Sequence, residues 1–367
     1  MILPLLTSLL LLAQQAPGGV GADIGAMLEA QCEKHDVPGA AAWVSRRGEP
    51  VAVAAAGLRR AGGADPVTVD DRFHLASVTK SLNAALIGTL VDEGKLRWDQ
   101  PVEELFPEWP VHRGLRQVTL AQLLSHRSGL AGFRGSADFA DAPTLSGDTP
   151  ARRRQFVQWL VAQKPPGEVG TFAYSNAGVT VAAAAAERVT GSPWETLMRE
   201  RVFTPLGMTR AGFGWPGRAG DNEPWGHFLR GARLVPHDPR GSYQGLDVLA
   251  PAADVHLSIR DLGAFLADQG RGLAGKRGLL KPETYRRLHG FGDEPAMGWM
   301  ASRTRDGRRM SRHDGNAETF YAVALVAPDE AIEIGVLLNA ADAAAANGIV
   351  AAIWQRFRAA APPKSGG

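Results

Sequence analysis

Apolar runs of strand length, bounded by turn residues, cluster near the two ends of this 367-residue chain and are scarce between them. Ala40 to Ser45 and Val51 to Gly57 flank Arg46-Arg47-Gly48-Glu49-Pro50, which reads as a hairpin, while Met297 to Ser302, Thr319 to Pro328 and Ala331 to Asn339 lie near the far end. Strands so short gain little as isolated ribbons, so the pattern predicts one antiparallel sheet assembled from both chain ends with helices packed on it. Residues 92–292 alternate helical segments with Gly- and Pro-rich loops and predict a mainly helical insertion. The expected fold class is therefore α/β of the α+β kind, an antiparallel sheet flanked by helices, with residues 23–360 forming one domain.

The flanks have their own signals. Asp23 to Asp36 reads as a helix with Ile24, Met27, Leu28 and Cys32 on one side, which places the single cysteine on a buried face where it makes no internal disulfide. Asp342 is an N-cap for a last helix running to about Arg358. Ile2 to Ala13 is apolar, too short to span a bilayer and followed by small residues, so residues 1–22 read as an export leader with a small-x-small site at Val20-Gly21-Ala22. The expectation is a periplasmic or secreted protein, membrane-anchored only if that segment stays uncleaved. Pro362 to Gly367 reads as a disordered tail within residues 361–367.

Charge and motif content exclude several classes. The 40 basic and 38 acidic residues leave a formal charge of +2 with no basic tract, so nucleic acid is not an expected partner. The run Arg152-Arg153-Arg154 opens a predicted helix and reads as a solvated face. Gly212, Gly214 and Gly217 spell a dinucleotide-type pattern, but Pro216 interrupts it and no strand-then-helix context surrounds it. There is no Gly-x-Ser-x-Gly elbow, no His-Glu-x-x-His and one cysteine, so neither an α/β-hydrolase nucleophile nor a metal site is indicated.

Ser77-Val78-Thr79-Lys80 is the one Ser-x-x-Lys in the chain, at the start of a predicted helix over Ser77 to Leu90. Three residues along a helix return to the same face, so the Lys80 amine reaches the Ser77 hydroxyl, and a lysine neutralised by burial takes its proton. The helix N-terminus adds N–H groups suited to an oxyanion. Tyr174-Ser175-Asn176 lies on a loop leading into an Ala-rich helix. There a Tyr hydroxyl serves as a proton relay and the Asn amide binds a carbonyl and holds the lysine, or else Ser175 or Asn176 caps the helix. His313-Asp314-Gly315 precedes the strand at Thr319, which favours it over the rival Lys276-Arg277-Gly278 in a loop.

These three elements, in this order, resemble the serine β-lactamase and penicillin-binding-protein family. The resemblance extends to Val91-Asp92-Glu93-Gly94-Lys95-Leu96, to Leu123-Leu124-Ser125-His126-Arg127-Ser128-Gly129-Leu130 and to Phe203-Thr204-Pro205-Leu206-Gly207-Met208-Thr209. It covers most of the chain from Val51 to Asn339 and looks like the class C branch, with its D-alanyl-D-alanine carboxypeptidases, D-aminopeptidases and carboxylesterases. His126 itself reads as a structural hydrogen-bonding residue.

The resemblance implies a β-lactamase/transpeptidase-like fold, with the active site between sheet and helical insertion and no cofactor. Ser77 would be the nucleophile, Lys80 its base, Tyr174 the proton shuttle, and Asn176 a ligand for substrate and lysine. His313 would face the substrate from the sheet edge, and the N–H groups of Ser77 and of Asn316, after Gly315, would form the oxyanion hole. The substrate would be a small ester, D-amino-acid peptide or β-lactam. Two departures qualify this. His313 stands where class C β-lactamases have lysine, which shifts the expectation toward a carboxypeptidase-like enzyme or an esterase. Thr319 stands where the family usually has glycine and is expected to narrow the groove. The alternative reading is a catalytically silent binder of cell-wall peptides or penicillin.

Overall fold

The hairpin signature near the N-terminus folds as read. In the computed structural model, which describes residues 20–217, 222–230, 233–239, 246–292 and 294–359, β1 (Gly39–Arg46) and β2 (Glu49–Gly57) are joined by Arg47 and Gly48, with φ of 52° and 77°. Two positive φ values in a two-residue turn give the twist that antiparallel strands need. The apolar stretch Ile2 to Ala13 and the tail Pro362 to Gly367 lie outside the described residues.

Ahead of this hairpin runs α1 (Val20–His35). After it come β3 (Arg72–His74), a 3-10 turn (Ala76–Val78) and α2 (Thr79–Asp92). The middle of the chain supplies α3 (Val102–Leu105), α4 (Leu120–Leu124), α5 (Thr149–Ala162), α6 (Asn176–Thr190), α7 (Trp194–Met198), β4 (Gly212–Phe213), β5 (His227–Arg230) and β6 (Arg233–Pro236). It continues with α8 (Ala250–Ala253), β7 (Val255–Ser258), α9 (Ile259–Leu273) and α10 (Pro282–Leu288). The chain closes with β8 (Met300–Arg303), β9 (Arg309–Asn316), β10 (Tyr321–Ala327), β11 (Ile332–Leu338) and α11 (Ala343–Ala359).

Both ends build one six-stranded antiparallel sheet, in the order β2-β1-β11-β10-β9-β8. The seam is β1 against β11, with Ala40 opposite Leu338 and Ser45 opposite Glu333. β10 and β11 are buried along their whole length because helices cover both faces. On one side α1 and α11 pack through Ile24, Leu28, Cys32, Ile349 and Ile353. On the other, α2, α9 and the helical insertion share a core that includes Phe73, Leu86, Phe265 and Trp299. Two-sided burial is why β10 reads as an unbroken apolar run and β11 as one broken only by Glu333, which is buried and accepts from Ser45 Oγ at 2.6 Å. Asp342 caps α11 as expected, accepting from the Ala345 N–H at 2.9 Å.

Three expectations change. The strand β9, Arg-Met-Ser-Arg-His-Asp-Gly-Asn, is too polar to read as one; it forms because β8 and β10 pair with it and because its charges find partners, Arg312 with Asp314 and Arg309 with Asp329. The insertion also contributes β4 and β7 to a small sheet in which β7 lies between β3 and β4, and it holds the hairpin β5–β6. The arginine run is not a solvated face. Arg154 is exposed, but Arg152 pairs with Asp247 at 2.7 Å and Arg153 is 0% exposed between Glu187 and Glu195. Consecutive helical residues point in directions about 100° apart, so a helix packed on α6 turns one of the three inward. Two carboxylates there offset the cost of desolvating it.

Candidate active site

The turn that presents Ser77 is held from below. Ala76 has φ of 44°, a left-handed conformation that disfavours side-chain-bearing residues, and its N–H donates to His74 Nδ1 at 3.2 Å. The other nitrogen of His74 lies 3.2 Å from Asp254 Oδ1. Leu75 N–H donates to Val255 O at 2.8 Å, and Val255 N–H donates to Thr79 Oγ1 at 3.1 Å. The small sheet and the α8–β7 corner therefore fix the turn. Ser77 itself sits in the 3-10 segment, two residues before α2 begins, and is half-buried.

Lys80 lies in the first turn of α2 and is 0% exposed. Its Nζ stands 3.1 Å from Ser77 Oγ and donates to Ala252 O at 2.7 Å. Burial pushes its pKa well below the usual lysine value, and the nearby charge of Arg134 adds to the effect. From the opposite side the Tyr174 hydroxyl donates to Ser77 Oγ at 2.8 Å. Burial raises the Tyr174 pKa, so it remains a phenol. Its ring centre lies 4.8 Å from Lys80 Nζ and stacks on the His126 ring with 4.4 Å between centres. His126, at φ 59°, accepts the Ser175 N–H on Nδ1 at 3.1 Å and so fixes the loop that carries the tyrosine.

Ser175 is the N-cap of α6, accepting from Gly178 N–H at 3.1 Å, and Asn176 follows as the first helical residue. The expected Asn176–Lys80 contact is not formed. The Asn176 amide nitrogen donates to Phe133 O at 2.8 Å, and the Lys80 amine is occupied by Ser77 and Ala252. Asn176 Oδ1 remains buried without a protein partner.

β9 brings His313, Gly315 and Asn316 to the same place. His313 is 3% exposed, its Nδ1 lies 2.9 Å from Asp314 O, and its Nε2 is buried without a protein partner. Burial lowers its pKa to about 3, so the imidazole is neutral, with Nδ1–H on the carbonyl and a lone pair on Nε2. Its ring centre is 6.5 Å from that of Tyr174. A side chain at Gly315 would collide with the Leu75 carbonyl and stand 3.1 Å from Ser77 N, which shows how closely β9 approaches the nucleophile's turn. Ala317 N–H donates to Phe320 O at 3.0 Å, so antiparallel alternation turns the N–H of Asn316, opposite Tyr321, away from β10. Because β8 pairs only with Arg309 to Arg312, that N–H faces an open edge.

A groove of about 450 Å³ runs from Tyr174 and His313 along β8, lined also by Met300, Ala301 and Met310. Thr319 does not narrow it: the side chain is 1% exposed and covered by Gly226. The rival Lys276-Arg277-Gly278 lies between α9 and α10, against Tyr285 and Asp268. Sequence reasoning found His126 as a structural residue but had no signal for the Ala252 carbonyl, a backbone atom, or for Arg134.

The beta-lactamase family model matches residues 24–354. Penicillin-binding protein 4 of Amycolatopsis lactamdurans is 36% identical over 177 residues, 48% of this chain and 44% of that protein. Esterase EstB of Burkholderia gladioli is 32% identical over 205 residues, 53% of this chain and 52% of that protein. The chain thus aligns with about half the length of these curated relatives. Among solved structures, the octameric penicillin-binding protein homologue from Pyrococcus abyssi superposes with a TM-score of 0.73 at 22% identity, covering 91% of this chain and 77% of the other.

Proposed function

The chain belongs to the beta-lactamase family, and from that premise we propose that it is a serine hydrolase working through an acyl-Ser77 intermediate. The observation that carries this reading is the convergence of Tyr174 Oη and Lys80 Nζ on Ser77 Oγ, at 2.8 and 3.1 Å. Lys80, neutral through burial, is the base, and Tyr174, kept a phenol, is the relay; the opposite directions of their pKa shifts assign the roles. Ser77 Oγ attacks the substrate carbonyl as its proton passes to Lys80. The N–H groups of Ser77 and Asn316 take the developing oxyanion, each such donor contributing about 3 kcal/mol. The tetrahedral intermediate collapses as Tyr174 passes the proton from Lys80 to the leaving group. Water, deprotonated by the same pair, then releases the acid and restores Ser77.

Within this reading the substrate is an ester or a D-amino-acid peptide in preference to a rapidly turned-over β-lactam. A neutral His313 offers a carboxylate no fixed charge, only a lone pair on Nε2 that suits a substrate N–H. The apolar stretch Ile2 to Ala13 supports export as part of the same reading. The test is intact mass and product release for the full chain mixed separately with a penicillin and with an activated short-chain ester, against Ser77→Ala. A persistent adduct absent from the variant marks a slow-deacylating peptidase type, and ester turnover without an adduct marks an esterase. Rapid penicillin turnover would reverse the substrate preference. No adduct and no turnover from folded protein would sink the hydrolase reading in favour of a silent binder.

A further inference from the structure

Among the described residues on the sheet side of the cleft no positive charge is uncommitted: His313 is neutral, Lys80 is buried and held by Ser77 and Ala252, and Arg312, which also lines the groove, is paired with Asp314 at 2.5 Å. The opposite wall differs. Arg134 lies in the loop between α4 and α5 with its side chain exposed. Its guanidinium carbon is 5.2 Å from the centre of the Tyr174 ring, and its Nη2 donates to Tyr174 O at 3.4 Å. The acid nearest in sequence does not neutralise it: Asp138 Oδ2 accepts from the backbone N–H groups of Arg134 and Gly135, at 2.5 and 3.2 Å. Among the described residues no carboxylate forms an ion pair with the Arg134 side chain. A fork of donors, permanently charged and uncommitted to any acid, therefore stands beside the tyrosine that touches the nucleophile. Its charge reaches the reacting groups, adding to the burial that lowers the Lys80 pKa and opposing the burial that raises that of Tyr174.

We propose that Arg134 is the carboxylate receptor of the cleft, so that the preferred substrate carries an anionic group on the Tyr174 side of Ser77. This rests on the hydrolase reading and narrows its substrate class. A guanidinium binds a carboxylate through two parallel N–H···O bonds, fixing orientation as well as charge.

The test uses two matched pairs of activated esters. In one pair the acyl chain ends in a carboxylate or in a primary amide; in the other the leaving group carries a carboxylate or a carboxamide. In at least one pair the wild-type protein should favour the charged member in kcat/KM by about tenfold or more, the scale of one lost charge-assisted bond. Raising the salt concentration should shrink that preference. Arg134→Gln should erase it and Arg134→Lys should keep part of it, with a thermal melt confirming that each variant is folded. The inference is overturned if neither pair shows a preference, or if Arg134→Gln leaves the charged-to-neutral ratio unchanged while both rates fall together, which is the signature of an arginine that only braces Tyr174. If no ester is turned over and Ser77 is not acylated, the hydrolase reading itself fails and this inference falls with it.

Discussion

The Tyr174 hydroxyl donates to Ser77 Oγ at 2.8 Å although the two residues are 97 positions apart. The same oxygen is 3.1 Å from Lys80 Nζ, three positions away. One contact follows from helical geometry and the other from packing of the insertion against the sheet, and the proposed chemistry needs both.

Tyr174→Phe removes the relay and leaves the ring that stacks on His126. Stability should change little, while kcat for ester or peptide hydrolysis should fall by roughly 10²- to 10⁴-fold with KM nearly constant. A rise in KM with kcat unchanged would show that the hydroxyl positions substrate and moves no proton.

Lys80 must be deprotonated to act, and its pKa is well below the usual lysine value. The rate should therefore reach its plateau well below the pH at which an ordinary lysine gives up its proton, and decline as pH falls through that lowered pKa. A profile of kcat/KM still climbing at pH 10 would mean an ordinary charged lysine. Lys80→Arg, with a guanidinium that keeps its proton, should cost about 10³-fold or more at every pH.

Gly315→Ala places a methyl group against the Leu75 carbonyl and 3.1 Å from Ser77 N. Backbone atoms cannot rotate out of the way, so β9 must shift. The expected result is a stability loss of about 1–3 kcal/mol in chemical denaturation and a disproportionate loss of kcat, because the shift opens the space between the two proposed oxyanion donors.

His126, His289 and His313 have pKa values lowered by burial to about 3, and His256 to about 4. Each stays neutral in the fold while the unfolded chain takes up a proton near the ordinary value of 6.5. Their contribution is therefore complete above about pH 6.5 and is lost as pH falls toward those folded values, with a ceiling of about 1.4 kcal/mol per pH unit for each. Melts from pH 7 to 4.5 should show a steep drop in Tm; a flat profile would count against neutral burial.

Arg153→Ala leaves Glu187 and Glu195 facing each other in the space the guanidinium filled. The loss should be about 3–5 kcal/mol. Arg153→Met combined with Glu187→Gln and Glu195→Gln should recover much of it, and an equal loss in both variants would show that packing, not charge, is what Arg153 supplies.

Much of this protein was determined by the sequence alone, through local rules. The two-residue hairpin turn, the caps at Ser175 and Asp342, the apolar runs of β1, β10 and β11 and the Ser77–Lys80 spacing all depend on neighbours a few positions away, and the assembly of one sheet from both ends follows from where strand-like runs occur. Tertiary structure decided the rest. β9 is a strand only because β8 and β10 flank it, and Arg153 is buried only because Glu187 and Glu195 come from other helices. Asn176 bonds Phe133 and not Lys80 because the loop after Ala131 passes over it. The protonation states of Lys80 and His313 likewise belong to no local pattern. They are set by how much water the packed sheet and insertion exclude, and desolvation depends on every element around a group at once.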